Sequence, residues 1–145
     1  MSRDCELILR TYVASDHDAL VELWRRCGLV VPVNNPSRDI QLKLDRDPDG
    51  LVVGEVDTGE CRQLVASVMV GYEGHRGWVN YLAVDPEYQR QGFGRVLVEH
   101  AEQWLRERGC PKLNLQVRSS NTRVIGFYEK LGYTQDAVVS LGKRF

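Results

Sequence analysis

The chain has 145 residues, of which 43% are hydrophobic and 27% charged, with 19 basic and 20 acidic side chains and a net charge of −1. That balance suits one globular domain, residues 1–145, with a sizeable core, and it excludes fibrous and disordered classes. It also lacks the basic excess of a nucleic-acid binder, and its longest uncharged apolar stretches, 29–33 and 64–72, fall far short of the ~18 residues of a membrane helix.

Arg3, Asp4, Glu6 and Arg10 leave no apolar run for a signal peptide, so a cytoplasmic location is expected. Glu6 to Val13 reads as a strand. Ser15 with Asp18 three residues on resembles a capping box, and Leu20, Leu23, Trp24 and Cys27 follow at helical spacing before Gly28, so an amphipathic helix is predicted there. After a Pro/Asn segment, Pro32 to Pro36, a short helix is predicted from Arg38 to Asp45 with Ile40 and Leu44 on one face. Leu51 to Val56 and Gln63 to Glu73 are β-branched-rich runs joined by Asp57, Thr58, Gly59 and Glu60, a hairpin signal. Gly74 to Gly77 turns the chain into a third strand, Trp78 to Val84, completing a meander.

A helix is then predicted from Gly94 to Arg108, burying Leu97, Val98, Ala101, Trp104 and Leu105 and ending at Gly109 ahead of Pro111. Lys112 to Arg118 alternates apolar and polar residues like a strand. A last helix begins near Asn121, sets Val124, Phe127, Tyr128 and Leu131 on one face, and stops at Gly132. Short strands are expected around Tyr133 and at Val138 to Leu141. The predicted order is β-α-α-β-β-β-α-β-α-β-β, an α/β (α+β) fold with a mixed, mostly antiparallel sheet flanked by helices.

The four cysteines, at 5, 27, 61 and 110, show no Cys-x-x-Cys spacing, and the three histidines stand near no cysteine pair. No metal is expected.

The informative stretch is Tyr81 to Arg95, YLAVDPEYQRQGFGR. A strand ends in Leu82, Ala83 and Val84, Asp85 and Pro86 break it, and Gln89, Arg90, Gln91, Gly92, Phe93 and Gly94 lead into a helix. Glycines at a helix mouth admit a ligand to backbone N–H groups that have no intrahelical partner, which is an anion site. Two glycines alone equally describe a tight loop. No Gly-Lys-Ser/Thr follows, so this is not a P-loop; Leu97 stands where a dinucleotide fingerprint wants its third glycine, and no acid appears at the required distance.

These residues resemble the GNAT superfamily of acetyl-CoA-dependent N-acetyltransferases, and the resemblance covers most of the chain. Gln89, Gly92 and Gly94 match that family's pyrophosphate loop, and Asn121, Phe127, Tyr128, Gly132 and Tyr133 match its later Asn and F-Y-x-x-x-G-aromatic motif. The chain is most similar to small bacterial members of the YpeA type. The resemblance implies a sheet whose fourth and fifth strands start side by side and diverge. Acetyl-CoA would lie in the resulting V, its pantetheine amides pairing with the backbone around Leu82, Ala83 and Val84 as an added strand. Its pyrophosphate would meet the N–H groups of Arg90, Gln91, Gly92, Phe93, Gly94 and Arg95.

The same resemblance implies direct attack of an amine on the thioester. Tyr128 maps to the acid for the departing thiolate, although its place on the apolar face of its helix also suits plain core. Asn121 reads both as a helix N-cap and as a contact to coenzyme A. The base stays open. The fourth strand, WVNYLAV, carries no carboxylate, Glu73 and His75 in the preceding turn are the nearest titratable groups, and a solvated turn or a water relay are the other readings. Trp24, Val33 and Asn34 would line the acceptor site. The partners expected are acetyl-CoA and an amine, with a homodimer as an option and neither nucleic acid nor membrane. The alternative is a non-catalytic acyl-CoA-binding module, suggested by the missing carboxylate.

Overall fold

The structure, a computed structural model, describes residues 5–145; Arg3 and Asp4, invoked against a signal peptide, lie outside the described residues. The chain divides into two units, one ending at Leu115 and one spanning Gln116–Phe145.

In the first unit, β1 (Ile8–Thr11), β2 (Leu51–Asp57), β3 (Arg62–Tyr72), β4 (Gly77–Val84) and β5 (Leu113–Asn114) form one sheet in chain order. The first four strands pair antiparallel and β5 pairs parallel to β4. Helices cover both faces, which is why β2 and β3 read as nearly continuous apolar runs rather than alternating ones. On one face α3 (Phe93–Glu107) packs Phe93, Leu97, Ala101, Trp104 and Leu105 against Val52, Val56, Val65, Val68, Val70 and Val79. On the other, α1 (His17–Arg26) and α2 (Pro36–Arg46) pack Leu20, Leu23, Trp24 and Ile40 against Leu51, Val53 and Ala83.

The expected hairpin forms, with Asp57 paired to Arg62 and the Asp57 carboxylate accepting the Gly59 N–H. The helix before Gly28 starts differently. Ser15 and Asp18 make no capping box; Asp16 instead accepts from the Val13 N–H at 2.9 Å, while Arg10 of β1 grips its carboxylate with two hydrogen bonds of 2.7 Å and reaches Glu55 of β2 at 2.7 Å. The Arg10 guanidinium, helped by the Val13 N–H, holds the Asp16 carboxyl below the usual carboxylate range against the opposing effect of burial. A carboxyl depressed in the folded state adds stability above its unfolded pKa of about 3.9 and loses it as pH falls through the folded value. The melting temperature is therefore expected to drop on acidification below about pH 4, and to drop less steeply in Asp16→Asn; equal acid slopes in calorimetry would refute this role.

Two further expectations are corrected. The alternating run Lys112–Arg118 is strand only at Leu113–Asn114, because alternation supplies a face but not a ladder, and its pairing with β4 stops at Trp78↔Asn114. In the second unit, α4 (Thr122–Lys130) forms as predicted, but residues 133–145 contain no strand. Val138, Val139 and Leu141 are exposed there, since a short apolar run becomes a strand only where an edge receives it.

Candidate active site

β4 pairs with β3 along its length but with β5 only at Gly77 and Trp78. From Val79 to Val84 no strand among the described residues pairs with its other edge, so the expected divergence after a side-by-side start is present. The register against β3 also slips. Ala83 faces Ser67 and Asn80 faces Met69, so Tyr81 and Leu82 together oppose Val68. This β-bulge reverses the facing of the strand. Val79, Leu82 and Val84 lie towards α3, whereas Tyr81 and Ala83 lie towards α1 and α2.

Tyr81 adopts φ 50°, a left-handed conformation that costs a bulky residue on the order of 1–3 kcal/mol. Its surroundings hold it there. The Ser67 hydroxyl donates to the Tyr81 carbonyl at 2.8 Å and accepts from Trp24 Nε1 at 2.9 Å. The Trp24 and Tyr81 rings stack at 3.8 Å and 16°, and the Tyr81 hydroxyl donates to Asp39 Oδ2 of α2 at 2.5 Å. Burial, then the bond to the Asp39 carboxylate, push the phenol pKa well up, with the Asn34 side chain opposing by a hydrogen bond. The phenol is therefore neutral at pH 7.

The loop after β4 is anchored at its start. Asp85, 3% exposed, accepts from the Glu87 N–H, pairs with Arg26 of α1 at 2.5 Å, and donates its own N–H to Val65. Gln89 donates to the Val84 carbonyl at 3.1 Å. Arg90 then takes φ 67° and Gly92 φ 82°. No side chain caps α3, and no acid occupies its first turn. The N–H groups of Phe93, Gly94 and Arg95 consequently lack intrahelical partners, and a Cβ at Gly92 would enter open space. These residues fit a bound anion. Phe93 is buried and stacks near Tyr88, fixing the mouth of the helix, whereas Gln91 is exposed and Arg95 is turned to Glu99 at 3.2 Å.

In the second unit Asn121 is the N-cap of α4, accepting from the Val124 N–H at 3.3 Å. Tyr128 is 7% exposed, edge-on to Phe127 and Tyr133. Burial pushes its phenol pKa up to about 12. A Cβ at Gly126 meets nothing within 4 Å, so close packing does not account for glycine there.

Of the remaining expected residues, Trp24 and Asn34 come together at Tyr81, whereas Glu73 and His75 do not join them. Glu73 and His75 sit in the exposed β3–β4 turn, where the Glu73 carboxylate accepts the His75 N–H at 2.7 Å and also that of Arg76. These bonds draw its pKa down. Four strand rises, about 13 Å, separate Gly77 from Tyr81. Val33 is 62% exposed, while Trp24 and Asn34 both meet Tyr81. Sequence reasoning missed Tyr81, Asp39 and Ser67. A tyrosine at odd phase in WVNYLAV was the available signal, but without the bulge it has no direction. Among the described residues no cluster of His, Cys, Asp and Glu is arranged for a metal, and no helix is long and apolar enough to cross a membrane.

Residues 17–133 match the model of the acetyltransferase (GNAT) family. The chain is 47% identical over 137 residues to an acetyltransferase of Sodalis glossinidius, covering 94% of each chain. The fold is similar to that of the ribosomal-protein-S18-alanine N-acetyltransferase of Escherichia coli, with TM-score 0.71 and 24% identity over 91% of this chain and 80% of that one. It is similar too to a chain of the NatC complex bound to Gag peptide and CoA, with TM-score 0.73 and 15% identity over 87% of this chain and 83% of the other.

Proposed function

Because the chain belongs to the GNAT acetyltransferase family, we propose that it moves the acetyl group of acetyl-CoA to a primary amine of a small molecule, peptide or protein. The family match spans parts of both units, and in this reading they work as one N-acetyltransferase domain. The observation that carries the reading is the open edge of β4 running into an uncapped, glycine-mouthed helix. The backbone around Leu82, Ala83 and Val84 would bind the pantetheine arm as an extra strand. The N–H groups from Arg90 to Arg95 would hold the pyrophosphate, and Gln89 would brace the loop by its bond to Val84. Asn121, in addition to capping α4, would contact coenzyme A.

Acetyl-CoA supplies an activated thioester. Tyr128 holds a proton at neutral pH, its pKa raised to about 12 by burial, and so remains a donor for a departing thiolate. Glu73 and His75 are engaged in, or exposed at, a distant turn, so the proposed acceptor surroundings centre on Trp24, Asn34 and the bulge. In this reading the enzyme works in the cytoplasm with acetyl-CoA and an amine as its partners, and its net charge of −1 carries no basic excess for nucleic acid.

Free-thiol release with acetyl-CoA and a panel of amines tests the reading. Tyr128→Phe is expected to lower kcat on the order of 10²-fold with little change in acetyl-CoA affinity. If acetyl-CoA binds and no amine accelerates release, the non-catalytic acyl-CoA-binding reading takes its place.

A further inference from the structure

We propose that Asp39 and Tyr81 form the proton-handling site for the acceptor, which receives the protonated amine of a cationic substrate and removes its proton before attack. This rests on the acetyl-transfer reading and deepens it, since that reading leaves the amine's proton without a destination.

The argument begins with the bulge. Strand alternation from Val79 would turn Tyr81 towards α3; the extra residue turns it towards α1 and α2, onto Trp24 and within 2.5 Å of Asp39. Tyr81 and Arg90 are the non-glycine residues at positive φ among the described residues. One lies in the proposed pyrophosphate loop and the other at the open edge of β4, as strain held at ligand-binding positions would be.

Packing does not require the polar pair. A phenylalanine would stack on Trp24 equally well, yet the hydroxyl meets a carboxylate. No lysine or arginine among the described residues pairs with Asp39; the Tyr81 hydroxyl and the first turn of α2 favour its charge, and its second oxygen can meet a cation from outside. Asn34 directs a hydrogen bond at the same phenol, which orients the oxygen. Asp39 is half-exposed and so in exchange with water.

The step balances without a co-reactant. An N–H proton of the ammonium passes to Tyr81 Oη as the phenol's own proton passes to the Asp39 carboxylate. The nitrogen keeps the bonding pair as its attacking lone pair, Tyr81 ends neutral, and Asp39 gives the proton to water. Nothing is oxidised or reduced.

The test uses the full chain, acetyl-CoA, and five acceptors: spermidine, glucosamine, a lysine-bearing tripeptide, an alanine-initiated tripeptide, and acetohydrazide, whose nitrogen is uncharged at pH 7. Asp39→Asn keeps an oxygen for the Tyr81 hydrogen bond but loses charge and basicity, and Tyr81→Phe keeps the ring on Trp24 but breaks the relay. Each is expected to lower kcat/KM for the cationic acceptors on the order of 10²-fold, with the double variant no worse than the singles because the two act as a unit. Acetohydrazide turnover and acetyl-CoA affinity by calorimetry should change less than about threefold. Equal losses with acetohydrazide would reveal a merely structural role and overturn the proposal, as would variants that turn over cationic amines like the parent. Should Asp39→Asn fail to fold, Tyr81→Phe carries the same test. A parent enzyme that binds acetyl-CoA but acetylates no amine defeats the acetyl-transfer reading first, and this inference falls with it; a parent active only on acetohydrazide defeats this inference alone.

Discussion

Gly92→Val is expected to weaken acetyl-CoA binding by roughly 10² to 10⁴-fold, measured by calorimetric titration of folded protein. Valine disfavours φ 82°, so the loop would have to relax and misdirect the N–H groups that follow. Its side chain would also occupy the open space in front of them. A charge-assisted hydrogen bond contributes about 1.5–3 kcal/mol and a tenfold change in affinity corresponds to about 1.4 kcal/mol, so losing two such donors accounts for the range. Arg90→Ala removes an exposed charge, for which about 0.2–1 kcal/mol is typical, a loss of about fivefold at most. Gly94→Val should resemble Gly92→Val in direction. If Arg90→Ala loses more affinity than either glycine variant, side-chain charge rather than the main chain grips the diphosphate, and the proposed loop chemistry is wrong.

Trp24→Ala should destabilise the protein by about 3–5 kcal/mol, lowering the melting temperature by roughly 6–20 °C at about 2–4 °C per kcal/mol for a chain of this size. Trp24 is fully buried between α1 and the sheet, it donates to Ser67, and it supports the ring of Tyr81. Alanine leaves a cavity, deprives Ser67 of its donor and removes the support for a strained residue at once. Trp24→Phe keeps most of the stacking surface and removes the indole N–H, so about 1–2 kcal/mol is expected. Urea unfolding distinguishes the two; similar midpoints for both variants would mean that the cavity is not the dominant loss. From sequence the indole was expected to line the acceptor site; in the structure it stacks on Tyr81 and donates to Ser67.

The amphipathic spacings of α1, α3 and α4, the Asp57–Glu60 hairpin and the glycine-mouthed loop could all be read along the chain, because each depends on residues within a few positions of one another. Burial bore this out at Leu20, Leu23, Trp24, Leu97, Ala101 and Tyr128. Alternation over Lys112–Arg118 and the apolar residues 138–141 overstated the strands, since a ladder needs a partner edge and local pattern carries no information about one.

Function divides along the same line. The uncapped, glycine-mouthed start of α3 lies in contiguous residues, so residue order alone was enough to find it. The meeting of Asp39, Asn34 and Tyr81 joins segments some forty residues apart, and it exists because one additional residue in β4 reverses which face Tyr81 occupies. Strand register is a relation between two strands, settled by how β3 and β4 pack together, and no linear reading of either strand contains it.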